Sequence, residues 1–494
     1  MNSKKLLLNV LLLMALVAPV RVFGDPKPVM VHYMPWFVSK PYSGSWGYHW
    51  TLGDSAINPS VTNVNGQAEI ASWYYPLIGP YDSADPAVLE YHVLLMKLAG
   101  IDGVIVDWYG PDNYYDYGVN NQRTLDIFNY VQKAGLKFSL CYEDATISAE
   151  IAGGTMNGIT VTSNNAVVHA QQEMLYVQAN FFNSPNFLRL SNAPVFLNFG
   201  PQFFTQSSQW TTIFSGLSTT NQPAFFTEDN RLSPAAAGAF DWPPMWMSGG
   251  GTLTSNQLQS YLINFEQTAK NQSWPNFVSS AFPRFHDYYA QAGGTSYGYL
   301  DDNNGITFQQ TLTRALTNSS AIVQLVTWND FGEGTIIEPT VQYGYRDLGV
   351  VQNFRRQYLD ADFSYTTNDL TLPLRLYNLR KKYGSASPVL SAEMDRIFGN
   401  IVSNNLSVAR VQLTALENQV PAPYNLTVTD NQLQFFIGGY LSGSGIQIQT
   451  STDLTSSAWQ TIDAITVNTN QIQFSAPISQ QVSATFFRIQ NNSP

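Results

Sequence analysis

The chain has 494 residues, a single cysteine and a formal net charge of −11, and only 12% of its residues are charged. The negative charge argues against a nucleic-acid partner, and the single cysteine excludes an intrachain disulfide. The low charged fraction implies a surface of Asn, Gln, Ser and Thr, which suits a protein that handles neutral polymers, and the length allows one large and one small domain.

The first 24 residues have the pattern of a secretory signal peptide. Lys4-Lys5 precede an apolar segment at 6–20, and Val22-Phe23-Gly24 offers small residues for cleavage before Asp25. A membrane anchor is the alternative, although the apolar segment is short for a span. We therefore expect residues 1–24 to be removed, leaving a secreted or periplasmic protein that has no membrane span and is a monomer.

Short apolar segments rich in β-branched and aromatic residues recur from Pro28 onward. They are continuously apolar rather than alternating, which is typical of parallel strands buried on both faces. The predicted strands are residues 28–33, 102–108, 136–143, 194–199, 224–228, 239–242, 277–282 and 321–328.

Helical patterns separate these strands. Asp85-Pro86 is a cap that opens a helix at 87–98, and Gly100 closes it. Further helices are predicted at 122–134, 166–181, 258–270, 307–316 and 374–382. Alternating strands and helices predict an α/β protein with a (β/α)8 TIM barrel over residues 25–383. Because such barrels usually have ~250 residues, we expect long loops at 38–76, 110–120, 145–165 and 247–252.

The remainder of the chain has a different pattern. We predict a helical linker over residues 384–419, in which 390–419 is helical. Alternating strands at 424–428, 432–437, 446–450, 459–462, 471–474 and 485–489 predict a small C-terminal β-sandwich over 420–494. Its aromatic residues are expected to form the core, and an exposed aromatic strip would instead make it a carbohydrate-binding module.

Two carboxylates follow the last predicted barrel strand, in Trp328-Asn329-Asp330-Phe331-Gly332-Glu333. Catalytic residues of such barrels lie at the carboxyl ends of strands. Two acids held close together can have their pKa values pushed apart, as glycosidic bond cleavage requires. We expect Glu333 to be the general acid and Asp330 the base.

Acidic and aromatic residues also end most of the other predicted strands. Strand ends in a barrel converge on one pocket, where carboxylates can bind sugar hydroxyls and aromatic rings can stack on sugars. An aromatic cluster at 46–50 is part of this prediction, with an aromatic mini-core as the alternative. The predicted substrate-binding residues are Tyr33, Trp36, Trp46, His49, Trp50, Asp107, Trp108, Glu143, Glu228, Asp241, Trp246, Arg284, His286, Asp287, Trp328, Asn329, Glu338 and Tyr345.

The sequence lacks the motifs of metal, serine-hydrolase and phosphate-binding sites. The histidines form no HxxxH or HExxH motif, and there is neither a GxSxG motif nor a phosphate-binding glycine loop. We therefore expect no metal and no cofactor.

The chain resembles the barrel enzymes of glycoside hydrolase families 71 and 99 over residues 28–350. The resemblance is carried by His32-Tyr-Met-Pro-Trp36, by 46–50, 75–81, Asp85-Pro86 and 102–108, and by 328–335 with Ile337-Glu338-Pro339. Family 99 resemblance implies an endo-acting α-mannosidase whose base activates the sugar's own 2-hydroxyl, and family 71 resemblance implies an α-1,3-glucanase. The family 99 pattern after the last strand is Asn-Glu-x-x-Glu, and this chain has Asp330 in place of the first Glu. The family 71 pattern is Trp-Asn-Asp-x-Gly-Glu, and this chain matches it.

The predicted function is therefore hydrolysis of an α-linked polysaccharide or oligosaccharide, of the α-mannan or α-glucan type. A non-catalytic glycan-binding protein on a barrel scaffold is the alternative, and lyase chemistry on a glycan is a third candidate.

Overall fold

The computed structural model describes residues 27–384, 388–418, 422–438, 445–452, 459–466, 472–477 and 486–492. The predicted signal peptide lies outside the described residues. The domain boundaries at 24, 383 and 419 stay predictions.

Parallel strands close into a barrel, as predicted. Each strand pairs with the next one in the chain, and the eighth pairs with the first. The strands are β1 (Val29–Tyr33), β2 (Gly103–Trp108), β3 (Lys137–Tyr142), β4 (Ala193–Asn198), β5 (Ala224–Glu228), β6 (Gly238–Phe240), β7 (Val278–Ala281) and β8 (Ile322–Leu325). All eight coincide with predicted strands.

Helices connect most of these strands. They are α1 (Pro86–Ala99), α2 (Tyr117–Ala134), α3 (Ala166–Val177), α4 (Ser207–Phe214), α5 (Ser255–Asn271), α6 (Ile306–Thr317), α7 (Arg346–Tyr358) and α8 (Leu372–Tyr383). Three further helices span Lys40–Ser43, Tyr48–Thr51 and Ala145–Gly153. The predicted cap of α1 is confirmed, because the Asp85 side chain accepts from the Ala87 N–H and Gly100 is left-handed with φ 82°.

Among α1 to α8, two helices were not predicted, α4 and α7, and the three further helices lie in segments that were predicted as loops. The buried positions of α7 include Asp347, Gly349 and Gln352, so its apolar periodicity is weak. Between β5 and β6, residues 229–237 contain no helix. Within the described ranges, no helix is both long enough and apolar enough to cross a membrane.

Successive side chains of the barrel strands face opposite sides, and this alternation decides which residues reach the interior. On β2, Val104 and Val106 belong to the core beneath the helices, whereas Ile105 belongs to the cluster that also contains Met30 and Cys141. His32 and Asp107, two positions beyond Met30 and Ile105, are therefore on the inward side.

The residues after the barrel form two helices and two antiparallel sheets. The predicted helical segment is divided into α9 (Pro388–Val402) and α10 (Leu406–Asn418) at Asn404, which is left-handed with φ 61°. One sheet contains β9 (Ala422–Thr429), β10 (Gln432–Gly438) and β13 (Ile472–Pro477), and the other contains β11 (Gly445–Ser451), β12 (Gln460–Thr466) and β14 (Phe486–Asn492). Phe435 and Phe474 of the first sheet share a core with Ile446 and Ile448 of the second, as in the predicted sandwich.

Candidate active site

A cavity of about 490 Å³ lies at the carboxyl ends of the barrel strands. Its acidic lining residues are Asp107, Glu143, Asp330 and Glu333. Its aromatic lining residues are Trp36, Tyr48, His49, Tyr109, Phe199, Trp242, Trp246, Phe285, Tyr289 and Tyr297, together with His32. The cavity therefore combines carboxyl groups with many ring faces, which is the arrangement expected for binding a polyhydroxylated ring.

The turn after β8 holds Asp330 and Glu333 in one fixed arrangement. The Asp330 N–H donates to Thr327 Oγ1 at 2.9 Å, and the Glu333 N–H donates to Asp330 Oδ1 at 2.9 Å. Gly334 has φ 70°, and a Cβ there would lie 2.6 Å from the His286 carbonyl oxygen, so the turn requires glycine. Glu333 Oε2 is buried and makes no hydrogen bond within the described structure.

The two acids have different electrostatic surroundings. Burial raises the pKa of Asp330 to about 6, while the hydrogen bond from the Glu333 N–H opposes this rise. Burial, followed by the nearby charge of Asp330, raises the pKa of Glu333 well above its ordinary value. The surroundings therefore favour the ionised form at Asp330 more than at Glu333.

Asp107 and Glu143 form a second acidic pair in the cavity. Burial raises the pKa of Asp107 to about 8. Burial and the charge of Asp107 raise the pKa of Glu143 well above its ordinary value. Because neighbouring carboxylates resist being ionised together, this pair retains a proton near neutral pH. It can then both donate to and accept from a sugar hydroxyl.

Several predicted site residues meet in this cavity. Asp330, Glu333, Asp107, Glu143, Trp36, His49 and Trp246 all line it. The rings of Trp36 and His49 stack with centroids 4.1 Å apart, and Trp246 is 70% exposed. Trp246 is thus available as a platform for a sugar ring.

Tyr33 and Trp108 do not line the cavity, in contrast to the predicted placement. Each is adjacent in sequence to an inward residue, His32 or Asp107, and therefore faces outward. The Tyr33 hydroxyl lies 3.1 Å from His92 Nδ1. Trp108 is fully buried and donates from Nε1 to an asparagine of α2.

Trp46 and Trp50 pack in an aromatic mini-core, which was the alternative to a substrate-binding role for the cluster at 46–50. Trp50 is 1% exposed and donates from Nε1 to the Tyr81 carbonyl oxygen at 2.8 Å. Trp46 packs against the same cluster and donates to Ser60 Oγ at 2.9 Å. Neither ring lines the cavity, in contrast to the predicted placement.

Buried polar contacts explain why five further predicted residues do not line the cavity. Asp241 pairs with Arg314 at 2.9 Å, and Glu338 pairs with His92 at 2.9 Å. The buried Arg284 pairs with Asp347 and donates to the Ile336 carbonyl oxygen. The Asn329 side chain accepts from the Met34 N–H and donates to the Met34 carbonyl oxygen. Trp328 is fully buried. These side chains hold the strand ends in place rather than contacting a ligand.

The remaining predicted residues, Asp287, His286, Glu228 and Tyr345, do not line the cavity. Asp287 accepts from the N–H of Tyr297 at 2.6 Å and thereby positions a ring that does line it. His286 stacks on Trp73 with centroids 4.7 Å apart. Glu228 borders a separate cleft, and Tyr345 is half-buried away from the cavity lining.

Sequence reasoning missed several lining residues. Tyr109 directly follows β2, so extending that predicted strand by one residue would have found it, whereas Phe199 was the last residue of a predicted strand but was not named as a site residue. Tyr289 and Tyr297 lie in a loop whose course the sequence pattern does not reveal. Burial and the charge of Glu333 raise the pKa of Tyr289, so its hydroxyl remains a neutral donor next to the acids.

His32, Asp107 and Cys141 have ligand atoms within 4.8 Å of one another, which is close enough for a metal ion. Burial raises the pKa of the Cys141 thiol well above its ordinary value. Because the thiolate is the form that binds metal, this thiol is a poor ligand. The three residues therefore fit a metal centre badly.

A parallel barrel with separated acids among aromatic rings at the carboxyl ends of its strands defines a glycosidase-like site. The family model for glycosyl hydrolase family 99 matches residues 27–363, and the chain belongs to that family. The protein is a glycosidase of α-linked glycans, as the sequence resemblance implied.

Similar proteins include two curated relatives and one solved structure. A glycoprotein endo-alpha-1,2-mannosidase-like protein of Danio rerio is 25% identical over 334 residues, covering 63% of this chain and 71% of that protein. The glycoprotein endo-alpha-1,2-mannosidase of Mus musculus is 22% identical over 331 residues, with 63% and 67% covered. A family 99 endo-alpha-mannosidase from Bacteroides thetaiotaomicron, solved with bis-tris-propane, is 19% identical with a TM-score of 0.49, covering 68% of this chain and 99% of that one.

Proposed function

We propose that the protein cleaves α-mannosidic linkages inside a glycan chain, with Glu333 as the general acid and Asp330 as the base. The observation that carries this proposal is the asymmetry of the two acids, in which an N–H donor favours ionised Asp330 and burial favours protonated Glu333. Family 99 membership and relatives named as endo-alpha-1,2-mannosidases support the mannoside over the glucoside.

In the proposed reaction, Glu333 protonates the glycosidic oxygen as its bond to the anomeric carbon breaks. Asp330 accepts the proton of the hydroxyl that attacks that carbon, either from a water or from the sugar's own 2-hydroxyl. A water gives inversion in one step. The 2-hydroxyl instead gives a strained 1,2-anhydro sugar, which water opens with net retention while Glu333 takes the proton of that water and Asp330 returns its proton to the 2-oxygen. The anomeric form of the first product distinguishes the two routes.

Purified protein should be incubated with α-1,2-mannan, other α-mannans and α-1,3-glucan while new reducing ends are measured. We expect cleavage of an α-mannan into oligosaccharides, and Glu333→Gln should lower turnover by ~100-fold or more. Glu69→Gln is the matched control, because Glu69 is exposed and does not line the cavity. Cleavage of α-1,3-glucan alone, or unchanged turnover of Glu333→Gln on the confirmed substrate, would contradict the proposal.

We also propose that the mature protein is exported and monomeric. The support is the sequence pattern of residues 1–24, in which Lys4-Lys5 precede an apolar segment. Intact mass of the protein recovered outside the cytoplasm should show a start near Asp25, and light scattering should give the mass of one chain. The mass of the full-length chain would contradict removal of residues 1–24, and the mass of a dimer would contradict the monomeric state.

A further inference from the structure

Another group of carboxylates gathers around an imidazole outside the active-site cavity. It consists of Asp112 in the loop after β2, Glu150 in the helix Ala145–Gly153, and His169 and Glu173 in α3. His169 and Glu173 are one helical turn apart, so they share a face of α3. None of the four lines the active-site cavity.

The distances within this cluster suit a small metal ion. His169 Nε2 lies 3.3 Å from Glu150 Oε2, 3.5 Å from Asp112 Oδ2 and 3.9 Å from Glu173 Oε1. A tetrahedral ion with bonds of ~2.0–2.1 Å separates its ligand atoms by ~3.3–3.4 Å. The two shorter distances therefore correspond to tetrahedral edges. The ligand atoms of Asp112, Glu150 and His169 all lie within 4.8 Å of one another.

Three of the four buried carboxyl oxygens in the cluster, both of Glu150 and one of Glu173, lack a hydrogen-bond donor in the described structure. Glu150 is 1% exposed, and neither of its carboxyl oxygens has a hydrogen-bond partner in the described structure, although His169 is within ion-pairing distance. Glu173 Oε2 accepts from the Tyr142 hydroxyl at 2.6 Å, which leaves the buried Oε1 without a donor. A buried carboxylate without compensation is strongly unfavourable. One imidazole carries at most one positive charge against Asp112 and Glu150, while burial raises the pKa of Glu173 to about 8.

The surrounding chain is shaped to hold these side chains. Gly110 has φ 96°, and a Cβ there would lie 2.1 Å from Glu173 Oε1, so only glycine leaves room for that carboxylate. The Tyr114 hydroxyl lies 3.0 Å from the Glu150 carbonyl oxygen and ties the loop after β2 to the short helix. Hydrogen bonds of this kind orient the ligands in metal sites.

We propose that Asp112, Glu150 and His169 bind one divalent cation of the zinc type, with the Glu173 carboxyl beside them. His169 supplies Nε2, and Asp112 and Glu150 each supply one oxygen. An imidazole together with carboxylates matches the ligand preference of Zn²⁺ better than that of Ca²⁺, which takes oxygen ligands only. The ion would connect the loop after β2 to α3. In that loop, Tyr109 lines the cavity, and Asp116 pairs with His49, which also lines it.

The test uses the full-length mature protein, first treated with a chelator and then desalted. Added Zn²⁺ should be retained at one equivalent per chain, measured by mass spectrometry of the metal, and should raise Tm by about 3 °C. Ca²⁺ at the same concentration should raise Tm far less. Glu150→Gln and His169→Gln should weaken Zn²⁺ binding at least ~10-fold, and so should Asp112→Asn, whose partly exposed side chain makes it the variant most certain to fold.

Two substitutions serve as controls for incidental zinc binding. Glu69→Gln removes an exposed carboxylate, and His286→Gln removes a histidine outside the cluster, so both should retain the full equivalent. The proposal is overturned if the wild type retains no zinc, or if Asp112→Asn and Glu150→Gln both bind it with unchanged affinity. Equal stabilisation by Ca²⁺ and Zn²⁺ would also overturn it, because His169 would then not be a ligand.

Discussion

The main-chain N–H of Glu333 donates a 2.9 Å hydrogen bond to Oδ1 of Asp330, so each acid helps to define the surroundings of the other. The donor favours the ionised form of Asp330. The ionised Asp330 in turn disfavours ionisation of the buried Glu333. A single turn after β8 therefore gives two carboxyl groups different tendencies to ionise, as the proposed base and acid require.

This asymmetry predicts a bell-shaped dependence of kcat/KM on pH. Asp330 acts when ionised, so the rate should rise as pH increases through about 6. Glu333 acts when protonated, so the rate should fall as pH increases through its raised pKa. The profile should be measured on the confirmed substrate from acidic to alkaline buffers.

Glu333→Gln provides the internal control for the pH profile. Its residual activity should keep the rising limb near 6 and lose the falling limb, because the amide does not titrate. A falling limb that persists in this variant would assign the acid to another group.

Trp246→Ala should weaken substrate binding without destabilising the protein. The ring is 70% exposed at the cavity, so removing it should raise KM about 3–10-fold and change Tm by less than about 1 °C. Steady-state kinetics and a thermal melt measure the two effects.

Trp50→Ala is the matched comparison, because this ring is 1% exposed and packs against Phe37 and Phe331. It should lower the free energy of unfolding by about 3–5 kcal/mol. If Trp246→Ala destabilised the protein as much while leaving KM unchanged, Trp246 would be a core residue.

The buried ion pair between Arg314 and Asp241 predicts a large and recoverable loss of stability. Arg314→Leu removes the cation and leaves Asp241, which is fully buried, with its hydrogen bond from the Ser280 N–H. The free energy of unfolding in urea should fall by about 3–5 kcal/mol.

The double variant Arg314→Leu/Asp241→Asn separates charge from packing. An amide oxygen can still accept from Ser280 N–H but carries no charge, so the double variant should be more stable than Arg314→Leu alone. If the loss of stability in the double variant equalled the sum of the losses in the two single variants, burial of an unpaired charge would not be the cause of the loss in Arg314→Leu.

The barrel could be predicted because its signals are local. Continuous apolar segments mark each strand, and Asp85 with Gly100 marks both ends of α1. The helix α7 was missed because its buried positions include Asp347 and Gln352, which give no apolar stripe.

The site could be predicted only in part, because neighbouring residues at a strand end face opposite sides. Asp107 lines the cavity while Trp108 is buried beneath α2, and the sequence alone treated both as site residues. Partners distant in sequence decide the rest, since Arg314 fixes Asp241 and His92 fixes Glu338. Nothing in the local sequence around Asp241 or Glu338 indicates these partners.

The roles of the two acids are tested most directly with a glycosyl fluoride of the confirmed substrate, whose leaving group departs without being protonated. Single-turnover release of fluoride should be measured for the wild type, Glu333→Gln and Asp330→Asn. Glu333→Gln should release fluoride within ~10-fold of the wild-type rate, whereas Asp330→Asn should be slower by ~100-fold or more. Equal loss in both variants, or loss confined to Glu333→Gln, would contradict the assignment of Glu333 as the acid and Asp330 as the base.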